Sequence, residues 1–304
     1  MSGLAEEHAA LVALLRSLPR GEPWFTVTEA VLKQGSALAV WENQAGDALI
    51  PDPARDSLYA EALREVAQWD DTGMRLLGIL DEEYPARVRE IHQAPPFLFA
   101  SGTLLADDPA IAVVGSRKAS PTGLEMASSI AALLAAEGIT VLAGLAAGID
   151  TAAHTAALAA GSRTVAIIGT GIRRYYPPAN QPLQDEIAGK GLVLSQFWPD
   201  GPPQRPNFLM RNAVMSGYGR ATVVVQAGET SGTRAQARMA VEHGRPVILT
   251  DQVVASNEWA KRLVGRPDVH IAADTAEVMS YVHRVLDRGG QVDRLLGGFL
   301  SADQ

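Results

Sequence analysis

Three short segments of the chain combine glycine with side chains that attract anions. The first, Gly115-Ser116-Arg117-Lys118-Ala119-Ser120-Pro121, follows the apolar run Ile111–Val114 and joins a tight turn to a hydroxyl, two cations and a Ser-Pro helix start. The second, Gly144-Leu145-Ala146-Ala147-Gly148-Ile149-Asp150, leads to His154, and the third is Gly169-Thr170-Gly171. Small residues at such points let a phosphate approach backbone N–H groups, which carry partial positive charge where a helix begins. Later segments add Arg173, Arg174, Arg205, Arg211, Asn212 and the run Ser231-Gly232-Thr233-Arg234. From these, the expected phosphate-binding set is Gly115, Ser116, Arg117, Lys118, Gly144, Gly148, Gly169, Gly171, Arg173, Arg174, Arg211, Asn212, Ser231, Gly232, Thr233 and Arg234. Any tight strand-to-helix turn favours glycine, so the argument rests on several turns and arginines sharing one edge.

Other chemistries have specific signatures that can be checked. No stretch reads G-x-x-x-x-G-K-[ST], which disfavours a P-loop, and no G-x-G-x-x-G with a later acid follows the first strand, which disfavours a dinucleotide site. The six histidines show no paired metal spacing, and with no cysteine there is neither a thiolate zinc site nor a thiol nucleophile. Asp150 and His154 lie four residues apart on one helix face, where they form either an acid/base pair or a structural brace of the glycine turn. The brace is the favoured reading, because no nucleophile with an evident base accompanies them. The sequence therefore predicts no catalytic residue, no metal and no cofactor.

The elements that must position these residues follow from the pattern of apolar residues. From Ile111 onward, short β-branched runs alternate with Ala-rich helical stretches, which predicts repeated βαβ units and a mostly parallel, doubly wound, Rossmann-like α/β sheet. Expected strands are Ile111–Val114, Thr140–Ala143, Thr164–Ile168, Leu192–Ser195, Thr222–Gln226, Pro246–Thr250 and Val269–Ala272. Expected helices are Gly123–Glu137, Ile149–Ala160, Gln181–Gly189, Arg211–Tyr218, Thr233–His243, Glu258–Val264 and Thr275–Leu286, with Gly138, Gly161 and Gly244 closing three of them. Before this, Leu4 to about Ala100 is mostly helical by its three- and four-residue apolar spacing, with one short strand over Met74–Leu80. The organisation expected is a helical accessory domain with its approach segment over 1–100, the Rossmann-like domain over 101–288, and a glycine-containing, loosely held tail over 289–304.

Composition narrows the class. The 304 residues are 47% hydrophobic and 20% charged without a long biased tract, as for an ordinary folded protein, and no apolar run is long enough for a membrane span. Absence of cysteine fits a reducing compartment, so a cytoplasmic location without membrane attachment is expected. The formal net charge of −8 argues against a protein that coats nucleic acid through its overall field, so any nucleic-acid site must be local.

A set of ordered motifs resembles the DprA/Smf family of DNA-processing proteins. It comprises Ala112-Val113-Val114-Gly115-Ser116-Arg117, Ala143-Gly144-Leu145-Ala146-Ala147-Gly148-Ile149-Asp150 with Ala153-His154, Tyr176-Pro177-Pro178-Ala179-Asn180, Phe208 with Arg211-Asn212, and Ser231-Gly232, preceded by Tyr84-Pro85, Ile91 and Pro95-Pro96. The resemblance spans roughly Leu77 to Thr250, and the helical N-terminus looks like the family's accessory domain. It implies a protein that binds and protects single-stranded DNA and hands it to a RecA-type recombinase during recombination or DNA uptake, as a homodimer and without catalysis. It also implies that Arg117, as the arginine of the Gly-Ser-Arg turn, grips backbone phosphate, and that Arg211 matches the first arginine of an Arg-Asn-Arg element. Tyr175, Tyr176 and Phe208 are candidates to stack bases. The sequence departs from the pattern at Ala213, where the family repeats arginine, at Pro178, and at Thr233-Arg234-Ala235. A second reading, a Rossmann-like sensor or hydrolase of a small nucleotide-derived ligand, better accommodates the net charge and the lost cations.

Overall fold

The computed structural model describes residues 3–44 and 52–300, with side chains as far as Arg288. Four helices open the chain: α1 (Gly3–Ser17), α2 (Phe25–Gln34), α3 (Ala37–Gln44) and α4 (Pro53–Asp71). Two strands, β1 (Arg75–Gly78) and β2 (Phe97–Gly102), then flank the short helix α5 (Ala86–Arg89). The alternating part follows as β3 (Ala110–Gly115), α6 (Pro121–Ala136), β4 (Thr140–Ala143), α7 (Ile149–Ala159), β5 (Thr164–Ile167), α8 (Gln181–Lys190), β6 (Leu192–Ser195), α9 (Arg205–Tyr218), β7 (Ala221–Gln226), α10 (Gly232–Glu242), β8 (Val247–Thr250), α11 (Asp251–Ser256), α12 (Glu258–Lys261), β9 (Val269–Ala272) and α13 (Thr275–Leu300).

All nine strands form one sheet in the order β1-β2-β6-β5-β4-β3-β7-β8-β9. From β6 to β9 every pairing is parallel, while β2 pairs antiparallel with both β1 and β6. The central strands β4, β5, β6 and β8 are buried at every position, which is why their sequences are apolar runs rather than alternating patterns. Helices α6, α7 and α13 cover one face, and α9, α10 and the N-terminal helices pack into a second apolar cluster on the other. Gly138, Gly161 and Gly244 end their helices with positive φ, as expected.

The doubly wound parallel sheet matches the expected fold class, and the differences have local causes. Strand β2 was not expected: its apolar run lies between Pro95-Pro96 and a glycine, and only its pairing with β6 distinguishes it from an approach loop. Through β1 and β2 the segment grouped with the helical unit joins the sheet itself. That unit packs on the same apolar cluster, where the rings of Trp24, Phe97 and Trp198 meet at 4.9–5.9 Å. His8 Nε2 lies 2.7 Å from Asp81 Oδ2, tying α1 to the turn after β1. Helix α9 begins at Arg205, six residues before its expected start, because Pro206 occupies the first turn, where a missing N–H costs nothing. The helix expected over Glu258–Val264 forms as the shorter α12, and an unexpected α11 precedes it, capped by the hydroxyl of Thr250 accepting from Val253 N–H. Helix α13 continues past Leu286 to Leu300 through the glycines expected to mark a loose tail, and 301–304 lie outside the described residues. Among the described residues no helix is long and apolar enough to cross a membrane.

Candidate nucleic-acid interface

The chain winds from β3 to β4, β5 and β6 on one side and returns to β7, β8 and β9 on the other, so the order reverses between β3 and β7. At such a switch point the two following loops part and leave a crevice beyond the strand ends. Here the crevice measures about 750 Å³ and is bounded by the loop after β3, the start of α9 and the loop leading into α10.

The loop after β3 is pinned at both ends. Ser116 N–H donates to Gln226 O at 2.7 Å, Ser120 N–H to Gln226 Oε1 at 2.8 Å, and Lys118 N–H to Ser116 Oγ at 3.1 Å. Ser120 then caps α6 by accepting from Gly123 N–H at 3.1 Å. With Ser116 folded onto its own loop, Arg117 and Lys118 are the side chains left exposed. The Arg117 guanidinium sits 5.2 Å from the centre of the Phe208 ring, which in turn lies 5.3 Å from the ring of Tyr176. Phe208 comes from the first turn of α9, where Arg205 is also exposed on the crevice. Arg117, Lys118 and Arg205 form no ion pair among the described residues, and the one acid lining the crevice is the buried Asp150.

Arg211 also lines the crevice but has another task. It is 6% exposed, and its Nη1 donates to Gly144 O and to Ile167 O, both at 2.6 Å, so it joins the ends of β4 and β5. Its Nε donates to Asn212 Oδ1 at 3.2 Å. Burial lowers its pKa to about 10, against the attraction of Asp150. Gly144 is required beneath it, since a Cβ there would fall 1.8 Å from Nη1. Asp150 Oδ2 accepts from Gly144 N–H at 3.0 Å and from Ala146 N–H at 3.3 Å. Burial raises the Asp150 pKa, opposed by Arg211, those two N–H groups and Arg117.

The turn is held from the other side as well. Leu145 is a fully buried non-glycine residue at φ 59°, a strained conformation, and Asn180 Nδ2 fixes it by donating to Leu145 O and to Thr151 Oγ1, each at 2.9 Å. The Tyr-Pro-Pro-Ala-Asn motif thus delivers Tyr176 to the crevice and Asn180 to the turn. Gly148 has φ +83°, and a Cβ there would lie 2.3 Å from Ser116 O, so the two glycine loops touch.

Of the expected residues, Gly115, Ser116, Arg117, Lys118, Arg211, Asn212, Ser231, Gly232 and Thr233 meet on the crevice with Asp150. Gly144 and Gly148 support it from below, and Gly169 makes room for the Phe208 ring. Others lie elsewhere. Gly171 pairs its N–H with Gly201 O, Arg173 is ion-paired with Asp200, and Arg174 donates to the Asp200 carbonyl; Arg173, Asp200 and Gly201 line a separate depression beside Trp198. Arg234 is exposed on α10 outside the lining. His154 does not bond to Asp150, as the brace reading had supposed: its Nδ1 lies 2.7 Å from Thr164 Oγ1, on the next strand. That hydroxyl donates to Val141 O, so it accepts from Nδ1–H; burial and Arg211 lower the His154 pKa to about 3 and keep the ring neutral. Gln236, one turn into α10, and Met215 were not expected; Arg205, Phe208 and Asn212 were named singly, and their stripe with Met215 at three- and four-residue spacing shows only once α9 starts at Arg205.

Comparison with known proteins agrees with this architecture. The family model for DNA recombination-mediator protein A matches residues 75–283. DNA processing protein DprA of Streptococcus pneumoniae is 43% identical over 171 residues, 56% of this chain and 60% of the relative; that of Bacillus subtilis is 31% identical over 238 residues, 78% of each. Among solved structures, the S. pneumoniae DprA fold superposes with a TM-score of 0.68 at 30% identity, covering 91% of this chain and 95% of that one. A Helicobacter pylori DNA processing protein A, whose structure is described for its single-stranded DNA binding mode, shares the fold with a TM-score of 0.62 at 24% identity over 71% of this chain and 96% of that one. With two thirds of its length inside the family model and its sheet, helical layers and ordered motifs all accounted for, the chain belongs to the DNA recombination-mediator protein A (DprA/Smf) family.

Proposed function

We propose that the crevice holds single-stranded DNA, with Arg117, Lys118 and Arg205 gripping phosphates at its rim while bases meet Phe208 and Tyr176. The observation that carries this reading is the set of three exposed cations, unpaired among the described residues, around a crevice whose one lining acid is buried. A flexible single strand can follow such a rim and turn its bases toward aromatic rings, a sequence-tolerant mode in which each stacked base contributes about 1–3 kcal/mol. The family membership supports the later steps: protection of the strand and its delivery to a RecA-type recombinase by a cytoplasmic homodimer, without catalysis.

The test is fluorescence anisotropy of labelled oligo-dT across salt concentrations. Three phosphate contacts give a log–log slope of about −2, taking roughly −0.7 per phosphate on a single strand. Arg117→Ala should bind more weakly and reduce the slope by about 0.7, and duplex of equal length should bind less well. A slope near zero, or an Arg117→Ala variant indistinguishable from wild type, refutes the assignment. A crevice of 750 Å³ falls in the usual range for one small ligand, so a protein that ignored single strands but was thermally stabilised by a mononucleotide would be a small-ligand binder instead.

A further inference from the structure

The crevice differs in kind between rim and floor. At the rim stand the exposed cations Arg117, Lys118 and Arg205; the buried lining holds Arg211 and Asp150, both engaged by the β4–α7 turn, and beside them the neutral side chains Asn212, Thr233 and Gln236, which are 7%, 8% and 2% exposed. Among these Gln236 is anomalous, because both its amide oxygen and its amide nitrogen are buried without any hydrogen-bond partner. A buried amide left unpaired at both ends is a destabilising feature that an apolar residue of similar size would avoid. It lines the crevice in the second turn of α10, whose start is capped by the Ser231 hydroxyl accepting from Thr233 N–H at 3.0 Å.

We propose that Gln236 reads the edge of a nucleobase turned into the floor of the crevice, so that this protein binds single strands with a base preference. The proposal rests on the single-strand reading above and assigns a second job to the same crevice. Phosphates are anionic and suit the rim. Base edges are neutral arrays of adjacent donors and acceptors, and a carboxamide presents one of each side by side, the pairing by which glutamine recognises bases in duplex grooves. Thr233 and Gln236 are three residues apart on one face of α10, and Asn212 reaches the same floor from α9, with Nδ2 3.4 Å from Gly232 O. The two amides and the hydroxyl thus frame one polar floor under a charged rim.

The experiment compares wild type with Gln236→Met, which keeps the side-chain length and removes the amide, on oligonucleotides of dA, dC and dT and on an abasic strand with the same number of phosphates. Wild type should rank the three homopolymers differently. The variant should rank them alike and bind the preferred one about ten-fold more weakly, the size of one amide–base pairing, while binding the abasic strand as well as wild type does and melting no lower. The inference is overturned if the homopolymer ranking is the same in both proteins, or if the variant loses equally on abasic and base-bearing strands. The two readings fail separately: absence of salt-dependent binding by wild type removes the single-strand reading, whereas intact salt dependence with an unchanged ranking removes only the role of Gln236.

Discussion

Replacing Arg211 by alanine separates the two ways an arginine can serve this crevice. In the folded protein its Nη1 is the shared donor for Gly144 O and Ile167 O, and its charge faces the buried Asp150. Arg211→Ala leaves those two buried carbonyls without that donor and removes a nearby cation from the buried Asp150; leaving buried acceptors unsatisfied costs about 1–3 kcal/mol each, together a large part of a typical 5–15 kcal/mol stability. For a chain of this size that corresponds to a fall in melting temperature on the order of 10 °C. Part of the deficit depends on pH. Asp150 already has a raised folded-state pKa, so folding is relatively favoured by its protonation, and losing Arg211 raises it further. That part of the deficit therefore grows as the pH is raised and shrinks as it is lowered. Arg117→Ala, at an exposed position, should melt within about 0.5 kcal/mol of wild type while losing affinity for single strands. Urea or thermal denaturation of both variants, alongside anisotropy, decides the matter. An Arg211→Ala protein as stable as wild type yet unable to bind DNA would refute the brace and make Arg211 a direct phosphate ligand.

Three further outcomes follow from neighbouring groups. Gly144→Ala places a methyl group against Arg211 Nη1 and should cost about 3 kcal/mol, and because it breaks the same contacts, the Gly144→Ala/Arg211→Ala double variant should be far less destabilised than the sum, as a double-mutant cycle by urea melting would show. His154 has a folded-state pKa of about 3 against an ordinary 6.5, so its contribution to stability is complete above 6.5 and is lost as the pH falls. The loss is about 2 kcal/mol by pH 5, and His154→Gln should remove that part of the pH dependence of the urea midpoint. Arg173→Ala breaks only an exposed pair with Asp200 and should leave both single-strand affinity and its salt slope unchanged, with stability altered by less than about 1 kcal/mol.

The strand runs and glycine-closed helices were legible because a parallel sheet buried on both faces leaves an unambiguous apolar signal. What the sequence hid was pairing at a distance. Nothing local marks Asp200 as the partner of Arg173 27 residues away, so Arg173 and Arg174 joined the expected site on charge alone. Arg211 lines the crevice, but its burial depends on the carbonyl ends of two strands, neither of which carries a sequence signature for it. Arg205 and Phe208 are visible in the sequence as residues and not as a face, since the apolar spacing alone predicts a start at Arg211; Pro206, in the first turn of α9, is the signal for the earlier start. Gln236 carried no signal except its spacing from Thr233, and a spacing of three says which side chains share a face, not which of them lacks a partner.

The net charge of −8 and a cationic crevice are compatible because charge is felt locally and several acids away from the crevice are matched by contact partners. Glu65 faces Arg16, Glu83 faces Arg75, Asp108 faces Arg163, Asp200 faces Arg173 and Glu90 faces Arg245, each pair cancelling at contact distance. What a strand feels at the crevice is the set of charges within about one Debye length, ~8–10 Å at physiological salt, rather than the sum over the chain. At that range the rim offers Arg117, Lys118 and Arg205 without paired acids among the described residues, and Asp150 is screened from solvent by its own burial beneath Arg211. The acidic remainder then acts as a filter: it opposes a stiff duplex, whose flanks would run over unmatched carboxylates, more than a flexible single strand that can bend into the crevice and away from the surface. On this argument, discrimination between single strand and duplex should sharpen as salt is lowered. The rim attraction and the body repulsion both strengthen, but only the duplex experiences the second.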